Sequence, residues 1–215
     1  MKNDRLNGEN VTFDSKQQQI LDAAKTLFGE KGYEATSVRD IAELAESNVA
    51  SINYYFGSKE ELFKTICDTC LKSTHKIISV LKEEPESIEG LKMILRNFFK
   101  LFLQLRHKEL GTHDFLHRNI DLFIKLSPET FKRDIWVVIE SLTSILKKAK
   151  KRKLLKKEID PEIFATVLFS GLGYLFRDGK VHCTFWTHQP FDDEFKNQYI
   201  NQVINGFIDG AKENS

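Results

Sequence analysis

Proline is scarce in this chain, four in 215 residues, and glycine is held to 11. So few breakers leave long uninterrupted stretches and favour an all-helical architecture. Cysteine is scarcer still: three residues, an odd number with no second paired motif. That fits a reducing cytoplasm better than a disulfide scaffold. No apolar run reaches the roughly 18 residues of a membrane span, and Met1 to Asn10 is polar where an export signal would be apolar. A cytoplasmic location with no membrane partner is therefore expected. An excess of either charge is missing too, since 32 Lys and Arg stand against 31 Asp and Glu. Composition alone does not mark a nucleic-acid binder; residues 14–75 carry three more acids than bases. Phosphate contact, however, needs locally clustered donors and not a basic domain. Enzyme signatures are lacking as well: no phosphate-cradling glycine loop, no serine elbow between strand and helix, no paired metal motif. The chain is not read as an enzyme, and no cofactor is expected.

What is present is a hydrophobic fraction of 41%, enough for one or two domains with a real core. The most informative stretch is Thr36 to Lys59, TSVRDIAELAESNVASINYYFGSK. Val38, Ile41, Ala42 and Ala45 recur at helical spacing, with Thr36 or Ser37 available as N-cap. Glu46-Ser47-Asn48 breaks the pattern. A second short helix, about Val49 to Tyr55, buries Ile52 and Phe56 and presents Asn48, Val49, Ser51, Asn53 and the Tyr54-Tyr55 pair. Gly57 ends it, and Ser58 to Glu61 forms a capping box for the next helix. Two helices this short need support from their neighbours. A small polar helix presented on such a support is how helix-turn-helix proteins reach DNA base edges.

The stretch from about Lys16 to Cys70 resembles the TetR family of transcriptional regulators. ILDAAKTLFGEKGYEATSVRDIAELA covers the first two helices, and INYYFGSKEELF covers the recognition helix running into the fourth. Gly32-Tyr33, Thr36, Ile41-Ala42, Tyr54-Tyr55-Phe56 and Lys59-Glu60-Glu61-Leu62 fall at the family's spacing. Glu46 and Ser47 replace the usual glycine and hydrophobic residue of the turn, and Asn53 replaces an aromatic. The resemblance implies an all-α protein of about nine helices with three parts. Residues 1–13 are a flexible arm. Residues 14–75 form the helix-turn-helix DNA-binding domain, with the motif at about 37–56. Residues 76–215 form a ligand-binding and dimerisation domain. It also implies a homodimer of the repressor type, reading a palindromic double-stranded operator and released by a small-molecule effector. Position by position, phosphate contacts fall to Thr36, Ser37, Tyr54, Tyr55 and Lys59. Base reading falls to Arg39, Asn48, Val49, Ser51 and Asn53, because Arg suits guanine edges and Asn suits adenine.

The remaining chain reads as helices. The first is Lys16 to Gly29, and a fourth runs from Lys59 to about Leu81. A fifth covers Ile88 to about Arg106, and a sixth carries Phe115 to Ile124. The last three begin at Pro128, at Asp160-Pro161 and at about Asp192. Seventeen phenylalanines are many for this length. Phe98, Phe102, Phe115, Phe123, Trp136 and Phe169 are expected to line an apolar pocket for an aromatic or acyl effector. The helix from Glu162 to Arg177 is apolar nearly all round and so buried on more than one side. With the last helix it is expected to form the dimer interface, through Leu168, Gly171, Leu172, Leu175, Tyr199, Val203 and Phe207. Other chemistry has weaker signals. Cys67 and Cys70 form a CxxC, and His113 and His117 share a helical face near His107, which leaves a helical redox or metal protein as one alternative. A helical interaction protein without DNA binding is another. The eight basic residues between Lys147 and Lys157 read as a solvated helix end favoured by the dipole.

Overall fold

A computed structural model of the chain describes residues 13–69, 77–108, 112, 115, 116, 118–177 and 192–213, with the side chains of 105–108 and 172–177 outside that description. Among these residues all regular structure is helical, apart from one antiparallel bridge between Leu155 and Lys212.

Four helices make the N-terminal part: α1 (Ser15–Glu30), α2 (Val38–Leu44), α3 (Val49–Phe56) and α4 (Lys59–Thr69). Each starts on a side chain that satisfies an otherwise unpaired helical N–H. The Asp14 carboxylate accepts from Gln17 N at 2.8 Å, and Gln17 Oε1 accepts from Asp14 N in return. Ser37 and Asp40 form the same reciprocal box at α2. Asn48 Oδ1 caps α3 and Ser58 Oγ caps α4. Gly57, at φ +81°, ends α3 in a conformation that a side chain would strain.

The rest is built from a 3-10 turn (Ser79–Lys82), α5 (Ile88–Lys108), α6 (Ile120–Leu126), α7 (Pro128–Phe131), α8 (Val137–Lys151), α9 (Pro161–Arg177) and α10 (Asp193–Ala211). A π-helical stretch, Lys132–Trp136, joins α7 to α8. The expected starts are realised: Pro128 occupies the first turn of α7, Asp160 Oδ1 accepts from Glu162 N and Ile163 N, and Asp192 caps α10. The fourth helix does not continue in α form to Leu81, because Ser79–Lys82 has tightened to 3-10 geometry. Two ties bind α5 to α10. Lys92, nearly buried, meets Asp209 at 2.8 Å and Glu89 at 3.1 Å, and Arg96 donates to Asn205 Oδ1.

Among the described residues there are two apolar cores, and they do not part at residue 75. One is formed by α5, α8, α9, α10 and the residues around the 3-10 turn, around Leu95, Phe98, Leu142, Ile145, Leu168 and Ile204. The other fills α1 to α4 around Ile20, Phe28, Ile41, Ile52, Leu62 and Phe63, and it also contains Phe115, Leu116 and Phe123. The Phe115 ring centroid lies 5.1 Å from that of Phe63, and Phe123 packs edge-on to Phe131. A fully buried phenylalanine contributes about 1.5–3 kcal/mol, so this segment is a structural part of the N-terminal core.

Candidate nucleic-acid interface

The reading helix is α3, and its orientation follows from what it buries. Ile52 and Phe56 point into the core, four residues apart on one side. That turns Val49, Asn53 and Tyr54 outward, together with Asn48 just before the helix; Tyr54 is 85% exposed. A tyrosine this bare has no packing role, and its phenol is a donor at the surface. Tyr55 is half-buried beside Phe56, its ring 5.3 Å from that of Tyr54 and nearly perpendicular to it. Arg39 is exposed at the start of α2, the neighbouring helix. Ser51 is half-buried, and Asn48 commits its Oδ1 to the cap of α3. Ser37 is exposed; its oxygen accepts from Asp40 N, and its hydroxyl donates to the Asp40 carboxylate.

Two expected phosphate contacts take a different part. Thr36 is only 1% exposed, and its hydroxyl donates to Gly32 O at 2.8 Å. It holds the bend between α1 and α2 and is withdrawn from any outside partner. The Lys59 ammonium lies over the Tyr33 ring and donates to Tyr33 O at 2.9 Å and Thr36 O at 3.0 Å. Two of its three donors are thus spent inside the protein, tying the α1–α2 loop to the start of α4.

The turn between α2 and α3 is built without its usual glycine. Glu46 adopts φ +46°, Ser47 N donates to Ala42 O at 2.8 Å, and Glu46 N donates to Glu43 O at 3.1 Å. This pair of bonds is the Schellman closure, here carried by a left-handed glutamate. Lys16, from the first turn of α1, donates to Glu46 O at 2.7 Å and places its charge at the C-terminal end of α2. Lys16 and Lys59 therefore pin α2 from both ends, a role that spacing alone does not signal. Ser47, in the place of a hydrophobic residue, has a buried hydroxyl without a hydrogen-bonding partner.

A second group of contacts fixes the reading head to the rest of the chain. Asn119, 5% exposed, donates to Phe28 O and Phe115 O at 2.8 Å each and accepts from Tyr33 N at 2.9 Å. Arg118 donates to Gly29 O at 2.8 Å and lies along Gly32, which has φ +86°. On the other side, Thr130 donates to the Asp68 carboxylate near the end of α4. None of these residues carries a motif. Their only signal in the sequence is polarity in an otherwise apolar stretch.

The expected pocket is not assembled. Phe98, Phe102 and Phe169 do meet, with Phe98 and Phe102 6.0 Å apart and Phe102 and Phe169 5.4 Å apart. Phe115 and Phe123 belong to the other core, and Trp136 stands 47% exposed on the surface. Helical spacing marks a residue as buried without naming the core that buries it. Of the expected interface residues that are described, only Leu168 is wholly taken up by its own chain. Leu168 is fully enclosed by its own chain, and Tyr199, Val203 and Phe207 are half-buried against it. Tyr199 donates to Gly171 O, and Val203 and Phe207 lie just beyond Gly171. The side chains of Leu172 and Leu175 lie outside the described residues, as do Cys70, His113, His117, the His107 side chain and residues 1–12. Cys67 is buried in the N-terminal core. Much of the Lys147–Lys157 run is turned onto its own chain: Lys147 meets Glu162, Lys148 meets Glu84, and Lys150 donates to Ile159 O.

A capped, outward-facing second helix on a rigid support defines a DNA-binding protein of the helix-turn-helix class. Residues 20–66 match a family described as bacterial regulatory proteins, tetR family. Over 135 residues the chain is 30% identical to IcaR of Staphylococcus aureus, a negative transcriptional regulator of the biofilm operon icaADBC; the match covers 61% of this chain and 66% of IcaR, just under two thirds of that relative. TtgR of Pseudomonas putida, an HTH-type transcriptional regulator, is 28% identical over 165 residues, covering 74% of this chain and 77% of TtgR. The ketosteroid regulator KstR2 of Mycobacterium tuberculosis has the same fold, with a TM-score of 0.71 over 94% of this chain and 98% of that one, at 16% identity. Along its N-terminal helices the chain is therefore similar to bacterial regulators of the tetR family.

Proposed function

We propose that the protein is a transcriptional repressor that binds a palindromic operator as a homodimer and is released by a small apolar or aromatic effector. The observation that carries this is the outward face of α3, where Val49, Asn53 and Tyr54 are exposed next to Arg39 on helices capped and pinned at their ends. Such a face reads base edges, while Tyr54 holds the backbone. IcaR, named as a negative regulator, supports repression as its sense. The protein acts on DNA in the cytoplasm; among the described residues no helix is long and apolar enough to cross a membrane.

The test is selection of bound fragments from genomic DNA, followed by titration of the selected operator. Arg39→Ala and Asn53→Ala are each expected to cost about 1–3 kcal/mol and to relax the preferred sequence. Parent-like binding by both variants would put the reading face elsewhere.

A further inference from the structure

We propose that Lys16 is a positioning residue for operator recognition: its ammonium holds the α2–α3 turn in a left-handed conformation that the turn's own residues disfavour, and so sets how α3 meets base edges. The proposal rests on the regulator reading above and concerns how its reading face is held. The turn has little local support. Glu46 adopts φ +46°, which brings its Cβ close to the following carbonyl, whereas glycine takes such an angle freely. Ser47 buries a hydroxyl that finds no partner. The bonds from Ser47 N to Ala42 O and from Glu46 N to Glu43 O last only while that conformation does. Lys16 acts from outside, 30 residues back in the chain. Its Nζ donates to Glu46 O at 2.7 Å and also faces Ala45 O at 3.4 Å and Gln19 Oε1 at 3.5 Å. An ammonium has three N–H donors, so those of Lys16 are directed into the protein and none is left for a phosphate.

The reading helix depends on that hold because it is short. α3 has eight residues and is seated by Ile52 and Phe56, four apart on one side. These two side chains set its depth, while the backbone of Glu46, Ser47 and Asn48 sets the direction from which the chain enters it. A change of torsion at Glu46 therefore swings Val49 and Asn53 relative to Arg39 on α2. Hydrogen bonds to base edges weaken steeply with misalignment. Contacts with the phosphate backbone carry no sequence information, and flexible donors re-form them after a small displacement. Loosening the turn thus removes the specific part of binding and spares the non-specific part. Lys16 contributes to sequence recognition without touching DNA.

The experiment is titration of the full chain with the selected operator, and with a scrambled duplex of equal length, across a range of sodium chloride concentrations. Lys16→Met keeps the apolar stem and removes the donors. It is expected to weaken operator binding about tenfold, to leave the scrambled duplex within about twofold, and to keep the parent's salt dependence. Lys16→Arg still donates to Glu46 O and is expected to recover most of the loss. With Glu46→Gly in place the turn closes unaided, so adding Lys16→Met there is expected to cost less than about threefold. Equal losses on both duplexes, with a salt slope smaller by about 0.9, would make Lys16 a phosphate contact and overturn the proposal. Parent-like operator binding by Lys16→Met would overturn it too, as would a loss that persists undiminished beside Glu46→Gly. If Lys16→Met loses its helical circular dichroism, repair by Glu46→Gly supports the link and failure to repair overturns it. A parent that selects no operator overturns the regulator reading as well, whereas every Lys16 outcome leaves that reading intact.

Discussion

Glu46 holds a left-handed conformation that costs a side chain roughly 1 kcal/mol and glycine almost nothing. The contacts that close this turn come from the backbone and from Lys16, so removing the glutamate side chain leaves them in place. Glu46→Gly is expected to stabilise the protein by about 0.5–1 kcal/mol, read as a higher urea midpoint at unchanged slope. Gly57→Ala is the converse case, because φ +81° there disfavours any Cβ. At this scale the sequence was informative about caps and poor about partners. Ser37, Ser58 and Asp160 cap helices as their positions suggest, because a cap is a local interaction spanning three residues. Thr36 and Lys59 match a family pattern of surface contacts, yet each satisfies backbone carbonyls that only the folded bend brings within reach.

At the scale of elements, α1 to α4 were legible because short amphipathic helices bounded by caps and glycine leave a local record. The π-helical stretch at Lys132–Trp136 was not legible, since its sequence continues the helical pattern on both sides. Nor was the partner of the segment around α6. Its apolar spacing predicted burial correctly, but Phe115 and Phe123 are buried against α1 and α4 and not beside Phe98. Asn119 is the polar centre of that contact. Replacing it with alanine strands the Tyr33 N–H and takes one donor from the Phe28 carbonyl, which keeps the Gly32 N–H. Asn119→Ala is expected to cost about 2–4 kcal/mol of stability. Operator affinity should fall with it in the same variant, although Asn119 lies far from α3 in sequence; chemical denaturation and operator titration check both.

For the whole molecule, the charged groups define a range of pH in which the fold is indifferent to acid and base. The Asp40 carboxyl lies below its ordinary 3.8 because the Ser37 backbone N–H, and then its hydroxyl, donate to it. Asp160 is lowered by the N–H groups of Ile163 and Glu162, and Asp209 by Lys92. Each carboxylate lowered in the folded state contributes stability above its unfolded value, and that contribution is lost as pH falls through the lowered one. Lys92 runs the other way. Its pKa is raised above 10.5 chiefly by Asp209, so its contribution is complete below 10.5 and disappears at higher pH. Thermal melts are therefore expected to keep a steady midpoint between about pH 5 and 9 and to fall below about pH 4. A midpoint that began to drop near pH 6 would point to groups other than these carboxylates.

The shared core has a consequence for anyone who would move this reading head to another regulator. Splicing at residue 75, where helical pattern and family likeness both suggest a seam, would leave behind Phe115, Leu116 and Phe123. The graft would carry a hole where three large side chains should sit, and an exposed loop backbone where Asn119 should bind. A fragment ending at residue 75 is expected to show little helical signal and no cooperative melt. A transplant that keeps its specificity needs the segment from Phe115 through Ile135 as well, taken from the far side of α5 and about 40 residues further along the chain, so that in this protein the portable unit of DNA recognition is discontinuous.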